Sequence, residues 1–504
     1  MSSTTATLEG NHLPGINADR LFKGSCLALI ATAVNFAVMG AIMGPLKEQF
    51  ILTNEQVGWI GGAGLWGFTL SILIFGPLCD ALGMRFLLWL AFVCHFAGVL
   101  IMIFATGFTM LLVGQLTIAM GNGLVEAACN PLIATIYPTR KTAKLNQFHV
   151  WFPGGIVIGG LAAYLLDKLG IPSWQLKLCV ILVPTVIYGR LFIGQKFPKT
   201  ERLQSGISFS GMVHATLMRP LFLVLLVCMG ITASLELGPN RWIPSVLESG
   251  GIPGILVLVW ISGLMALLRF YAGPVVHRLA PTGILLLSGI LSGAGLIWLS
   301  YAESTAMAFV SATLFAVGVC YFWPTMLGIA SERVPKGGAL ALALLGGFGN
   351  VIVGMVASPQ MGTIADRYGH DRLPVVETRA VLQRVTTVYA AAASGEAQTR
   401  LAVDVERARE EAQKVLQQAT GDSLPMIETA NALRTAINCA PNTEEGRAVA
   451  AEAKKILGPA DNYGGRMSFR YVAPFSIVLI LVFGTLWLSD RRKGGYKVET
   501  IGDR

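Results

Sequence analysis

Charge is what this chain has least of. Asp, Glu, Lys and Arg make up 13% of its residues, against about 25% in a soluble domain. Apolar residues make up 54% of the 504, and a water-soluble protein of that length needs far more polar surface to cover its core. Paired cysteines are missing as well. Cys26, Cys79, Cys94, Cys129, Cys179, Cys228 and Cys320 stand singly within or beside apolar runs, and Cys439 stands alone in a polar stretch. No CxxC occurs, so neither a disulfide framework nor a zinc site is indicated. No nucleophile–base or metal constellation appears, which argues against an enzyme. The Gly-rich runs (Gly61-Gly62-Ala-Gly64, Gly154-Gly155, Gly159-Gly160, Gly346-Gly347-Phe-Gly349) lack the strand–turn–Lys setting of a nucleotide site. No nucleotide or other cofactor is therefore expected, and an ion gradient, by default of protons, is the natural energy source. Residues Met1 to Asp19 are polar and the first apolar run is too long for a signal h-region, so no cleavable leader is read.

Long apolar runs are what is present. A bilayer-spanning helix needs roughly 20 mostly apolar residues. The runs predict helices one to six near 21–48, 56–79, 85–105, 108–137, 146–168 and 174–196. After a polar stretch they predict helices seven to twelve near 220–247, 252–278, 282–301, 304–331, 338–365 and 469–489. The expectation is an all-α membrane protein of about twelve transmembrane helices in two six-helix halves, a repeat plan common among carriers. Its parts are a tail at 1–20, a first half at 21–196, a central loop at 197–219, helices seven to eleven at 220–366, an insert at 367–468, helix twelve at 469–489 and a tail at 490–504.

The net charge of +9 does not point to nucleic acid, because the cations sit in short loops beside apolar runs. Arg85, Arg140, Lys141, Lys144, Lys199, Arg202, Arg278, Arg333, Lys336, Arg491, Arg492 and Lys493 all follow even-numbered helices; Lys47 and Lys168 are the main exceptions. By the positive-inside rule both termini are expected in the cytoplasm, with the chain in the cell (inner) membrane. The insert is polar, with apolar residues at helical spacing (Leu401, Val405, Ala408, Ala412, Val415) and punctuation at Pro425, Pro441, Gly464 and Gly465. It reads as two to four amphipathic helices on the extracytoplasmic face. A spacer or lid is the simplest role, and partner or solute capture the alternative.

At the end of helix two stands Gly76-Pro-Leu-Cys-Asp80-Ala-Leu-Gly83-Met-Arg85, of the form GxxxDxxGxR. Small residues allow close helix contact, and Asp80 and Arg85 are suited to charge-assisted contacts at a helix end, so Gly76, Asp80, Gly83 and Arg85 read as a conformational latch. This motif at this place resembles the loop 2–3 signature of the major facilitator superfamily. The stretch Gly121-Asn-Gly-Leu-Val-Glu126-Ala-Ala-Cys-Asn130-Pro131, with Leu145-Asn146 after it and Phe322-Trp323-Pro324-Thr325 on helix ten, is similar to the fucose–galactose–glucose:proton symporter family. The resemblance implies an alternating-access carrier with a cavity lined by helices one, four, seven and ten. The chain departs from that family on helix one, where the run from Asn35 to Gly44 has no carboxylate.

An ionisable residue within a span is costly and marks a functional position. Glu126 is the first candidate: Gln115, Asn122, Glu126 and Asn130 recur at spacings that put them on one helix face. Helix seven offers Glu236, Asn240 and Trp242, with Arg241 placed to pair with Glu236 or with an anionic solute group and Pro239 expected to break the helix. Asn146 and His149 on helix five suit a gating role. Asn35, Tyr321, Trp323 and Asn350 offer amide, hydroxyl and indole groups for solute contact, and Arg269 is expected to snorkel to the surface. The leading reading is proton-coupled uptake of a sugar or similar small polar solute. An efflux carrier for amphipathic drugs or lipids, and a sensor or assembly protein on a transporter fold, are the alternatives. Oligomeric state is left open.

Overall fold

The computed structural model describes residues 14–50, 52, 54–171, 173–395, 400–421 and 423–499. The outer parts of both terminal tails, and the side chains of Lys47 and Leu401, lie outside the described residues. Among the described residues the chain is helices and their connections, with one isolated antiparallel bridge between Thr420 and Ser423.

The apolar runs become helix one (Ala18–Gln49), two (Asn54–Leu82), three (Met84–Ile103), four (Phe108–Ile136), six (Trp174–Phe192) and seven (Pro220–Ser249). Helix five is Lys141–His149 and Trp151–Lys168, and helix eight is Gly254–Phe270. Helix nine runs to Leu299 after the chain turns at Ala280, and helix ten is Thr305–Val319 and Phe322–Arg333. Helix eleven is Gly338–Ile352, a π turn at Val353–Ala357 and Ser358–His370; helix twelve is Phe475–Arg492. Among the described residues eleven stretches are long and apolar enough to cross a membrane, and Gly254–Phe270 is a shorter apolar helix. Together they make the twelve. Caps fix several starts: the Ser173, Ser304 and Thr443 hydroxyls accept the N–H groups of Leu176, Met307 and Gly446. Gly83 ends helix two at φ 85°, a left-handed turn that favours glycine.

Some elements differ from expectation. Helix seven runs unbroken through Pro239 and Pro244, because within a bundle neighbouring groups re-satisfy the backbone that a proline leaves unpaired. The central polar stretch holds two short helices, Glu201–Gln204 and Phe209–Leu217. Helix five starts at Lys141, earlier than its apolar run, and breaks at Val150; helix ten breaks at Cys320 and Tyr321.

The two halves meet along helices two and eleven, five and eight, and five and ten. The first contact depends on missing side chains: a Cβ on Gly76 would lie 2.0 Å from Ala343 Cβ, and one on Gly347 2.2 Å from Leu73. The insert is four helices, Val375–Gly395, Arg400–Gln418, Met426–Asn438 and the start of Glu444–Val472. They close on a core of their own that includes Leu382, Val385, Ala412, Leu433 and Val449. Gly464 and Gly465 do not punctuate it. Both lie inside the last helix, which runs on towards helix twelve. A Cβ on Gly464 would sit 2.0 Å from the Ala365 carbonyl oxygen, and one on Gly465 2.2 Å from Val246. They are the close approach by which this helix seats against helices eleven and seven. Asn462 adds a hydrogen bond to the Val246 carbonyl at 2.6 Å.

Gly464→Val should overpack that seat at a cost of about 1–3 kcal/mol. Its melting temperature in detergent, read by size-exclusion fluorescence, is expected to fall by several degrees. Gly40→Ala, at a glycine with no neighbour within 4 Å, should leave it unchanged; equal effects would contradict this account.

Candidate functional site

At the Asp80 end the halves are stitched by polar contacts. Lys141, at the start of helix five, donates to Glu201 Oε2 at 2.6 Å and to the Ser331 carbonyl at 3.2 Å. The Thr142 N–H donates to Glu332 Oε1 at 3.0 Å, and Asn146 Nδ2 donates to Thr325 Oγ1 at 3.2 Å. The C-terminal tail joins the same end. Tyr496 donates to Glu332 Oε2 at 2.7 Å, and Arg219 grips Glu499 at 2.6 and 2.7 Å. Burial, then the Glu332 carboxylate, push the Tyr496 hydroxyl well above its usual pKa, so it stays a donor.

The latch motif is built differently from the sequence reading. Asp80 pairs with Arg202 at 2.5 Å and accepts from Thr200 at 2.5 Å, both on the short segment after helix six. Arg85 is exposed. It cannot share the buried site of Asp80 because the Gly83 turn carries it to the next helix. Gly76 serves the contact with helix eleven.

Deeper between the halves lies a buried cluster of ionisable groups. Glu126 accepts from Asn130 Nδ2 at 2.5 Å, and His149 Nε2 stands 3.1 Å from Asn130 Oδ1 and 3.9 Å from Glu126. Among the described residues no Lys or Arg pairs with Glu126. Glu236 is paired with Arg269 at 3.0 Å. Arg241 is exposed and is not that partner. Arg269 does not snorkel: it is 2% exposed and also donates to the carbonyls of His149 (3.1 Å) and Cys320. Its place in the last turn of helix eight puts it against helix five, where three protein acceptors, on helices five, seven and ten, replace water.

The helix-four stripe divides. At about 100° per residue, Asn122 and Asn130 lie about 80° apart around the axis. Asn122 Oδ1 meets His95 Nε2 at 2.9 Å, and His95 Nδ1 meets the Tyr188 hydroxyl at 3.1 Å, all inside the first half. Gln115 lies against Gly64 of helix two. Only Glu126 and Asn130 join the junction cluster. The sequence reading did not include His95; a lone imidazole in an apolar run was its one signal.

The remaining candidates are spread out. Tyr321 donates to the Leu268 carbonyl at 2.8 Å, the Trp323 ring packs on Gly346 and Gly349, and Trp242 packs near Gly362. Asn350 donates to its own helix at Gly346. Asn240 Oδ1 and both amide atoms of Asn35 are buried without a protein partner. A cavity of about 590 Å³ lies elsewhere, at the helix ends beside the C-terminal tail, lined among others by Arg219, Lys336, Lys493 and Lys497.

A sequence profile described as Major Facilitator Superfamily matches residues 25–358. Monosaccharide-sensing protein 2 of Arabidopsis thaliana is 29% identical over 176 residues, 33% of this chain and 24% of that protein. The putative niacin/nicotinamide transporter NiaP of Bacillus subtilis is 21% identical over 363 residues, 68% of this chain and 90% of that protein. The chain thus spans about a quarter of the first relative and most of the second. Among solved structures, the transporter FucP in the outward conformation superposes with a TM-score of 0.59 at 19% identity, covering 69% of this chain and 92% of FucP. The proton:xylose symporter XylE gives 0.56 at 12% identity, covering 69% and 89%.

Asp80→Asn and Arg202→Met should each lower the melting temperature, since removing one partner of a buried pair costs about 3–5 kcal/mol. The double variant should lose clearly less than the sum of the two. Additive losses would mean that the pair does not act as a unit.

Proposed function

Because the chain belongs to the major facilitator superfamily of membrane transporters, we propose that it takes up a sugar or similar small polar solute together with a proton, by alternating access. The observation that carries this reading is the contrast between two buried carboxylates at the junction. Glu236 has a guanidinium bonded to it at 3.0 Å, whereas among the described residues Glu126 has no Lys or Arg within ion-pair distance and feels Arg269 only from farther off. A charged carboxylate without a cation is costly in an apolar span. Glu126 therefore exchanges its charge for a proton, while Glu236 keeps its charge through Arg269. Two carboxylates held in different environments divide the roles of proton carrier and fixed charge.

The Asp80 end, where the halves are stitched, is the cytoplasmic end, so both tails are cytoplasmic and the chain sits in the cell membrane with its insert outside. In this reading a proton and a solute enter from the insert side. Protonated Glu126 no longer needs polar surroundings, the halves rock, and the stitched end opens. Asn35 suits solute contact because its amide is buried without a protein partner. The likeness to a proton:xylose symporter and to a monosaccharide-sensing protein supports a sugar; the likeness to a niacin/nicotinamide carrier keeps the class at small polar solutes.

Purified protein in liposomes should accumulate one member of a panel of radiolabelled sugars, polyols and nicotinate when the proton gradient points inward. In Glu126→Gln, accumulation should fall to the level seen without a gradient, while exchange of solute for solute continues. Undiminished gradient-driven accumulation in the variant would remove Glu126 from the coupling step.

A further inference from the structure

Prolines explain why Arg269 is where it is. In a helix the carbonyl of residue i accepts from the N–H of residue i+4, and proline has none to give. Four residues after His149 stands Pro153, and four after Cys320 stands Pro324. Each helix breaks there, at Val150 and at Cys320–Tyr321. Both orphaned carbonyls accept from one guanidinium, Nη1 to His149 and Nε to Cys320. The third donor, Nη2, holds Glu236.

These contacts do not belong to the same half. Arg269, Glu236 and Cys320 belong to helices eight, seven and ten of the second half, whereas the His149 carbonyl belongs to helix five of the first. His149 lies eight residues along helix five from the Lys141 stitch, roughly 12 Å, so the bond sits at the junction, about two helical turns inward of the closed end. We infer that Arg269 is a cross-half clasp: its bond to the His149 carbonyl holds the Asp80 end closed, and opening that end requires the bond to break. A second resting place for the freed N–H is already present. Glu236 Oε2 is buried with no partner, and a guanidinium fork fits both oxygens of one carboxylate. The clasp thus has two arrangements, one spanning the halves and one wholly inside the second half, as a two-state rocking element requires. Arg269 is a positioning residue in this scheme and need not touch the solute. The inference rests on the alternating-access reading, but not on the identity of the solute or the ion.

The two prolines allow a test that leaves Arg269 in place. Pro153→Ala returns an N–H to helix five, which competes with Arg269 for the His149 carbonyl and weakens the clasp. Pro324→Ala does the same for Cys320, whose bond stays within one half. The reporter is Thr142→Cys, at a position fully buried in the stitched end against Gly328, in a Cys179→Ser background, since the other native cysteines are buried. The readout is its labelling rate by a water-soluble maleimide in nanodiscs, with no solute or gradient present. Labelling should rise about tenfold in Pro153→Ala, the effect of losing one hydrogen bond to a charged donor. It should rise at least as much in Arg269→Gln, and by less than about twofold in Pro324→Ala. Equal responses to the two proline changes, or a larger one to Pro324→Ala, would make Arg269 a purely local support and overturn the inference. So would an unchanged rate in Pro153→Ala. Because the assay needs no transported solute, failure of the sugar–proton reading would leave its outcome intact, and the reverse also holds.

Discussion

Inside a bilayer, every backbone polar group must find its partner within the protein. This chain places prolines in several of its spans and so creates carbonyls that its own helices cannot serve. At helices five and ten the solution is a buried cation. A guanidinium without acceptors would be among the most costly groups to put there. Arg269 is tolerated because two carbonyls and a carboxylate accept from it. The arrangement works in both directions: the breaks need a strong donor, and the donor needs the breaks. Removing either alone leaves a buried polar group unpaired, which costs more than the pair contributes.

The rest of the architecture follows from keeping that junction dry and movable. Glycines at 76 and 347 bring helices two and eleven to backbone distance across the halves. Such contacts have no directional bonds to break when the surfaces slide. Directional bonds are concentrated at one end, in the Lys141, Thr142 and Asn146 contacts and in the tail residues that converge on Glu332. One end is therefore held by bonds that can be made or broken as a set, and the middle by packing that tolerates shear. Packed interfaces of this kind have discrete arrangements rather than a continuum.

The spans were legible in the sequence because apolar length is the dominant signal in a membrane protein. Glu126 and its Asn130 partner were legible because four residues along a helix are neighbours. What was not legible depended on distance along the chain. Asp80 finds Arg202, 122 residues away, where the local pattern offered Arg85. Glu236 finds Arg269 on the next helix, where Arg241 stood nearer in sequence. Asn122 shares its period with Glu126, yet a turn of 40° or so is enough to send it to His95 in another packing layer. Pro239 resembles a helix breaker, yet its helix continues, whereas the carbonyls freed by Pro153 and Pro324 are the ones that Arg269 fills. A proline says that a carbonyl is free; only the fold says what fills it.

The insert illustrates the same limit and adds a mechanical consequence. Two adjacent glycines in a polar stretch look like a loop, but close helix packing calls for the same residues. Because Gly464 and Gly465 lie within one continuous helix, Glu444–Val472, the insert is joined to the membrane part by a rod of 29 residues, about 43 Å at 1.5 Å per residue. That rod is seated on helices seven and eleven, and Arg434 braces it through Asp366 and Asp461 at 3.0 and 2.7 Å. All of these anchors belong to the half that holds Arg269 and Glu236. A tilt of that half is therefore carried into the insert through a stiff helix rather than absorbed in a flexible linker. In the proposed rocking motion the displacement grows with distance from the junction, so a stiff rod seated on helices seven and eleven would amplify the tilt in the insert.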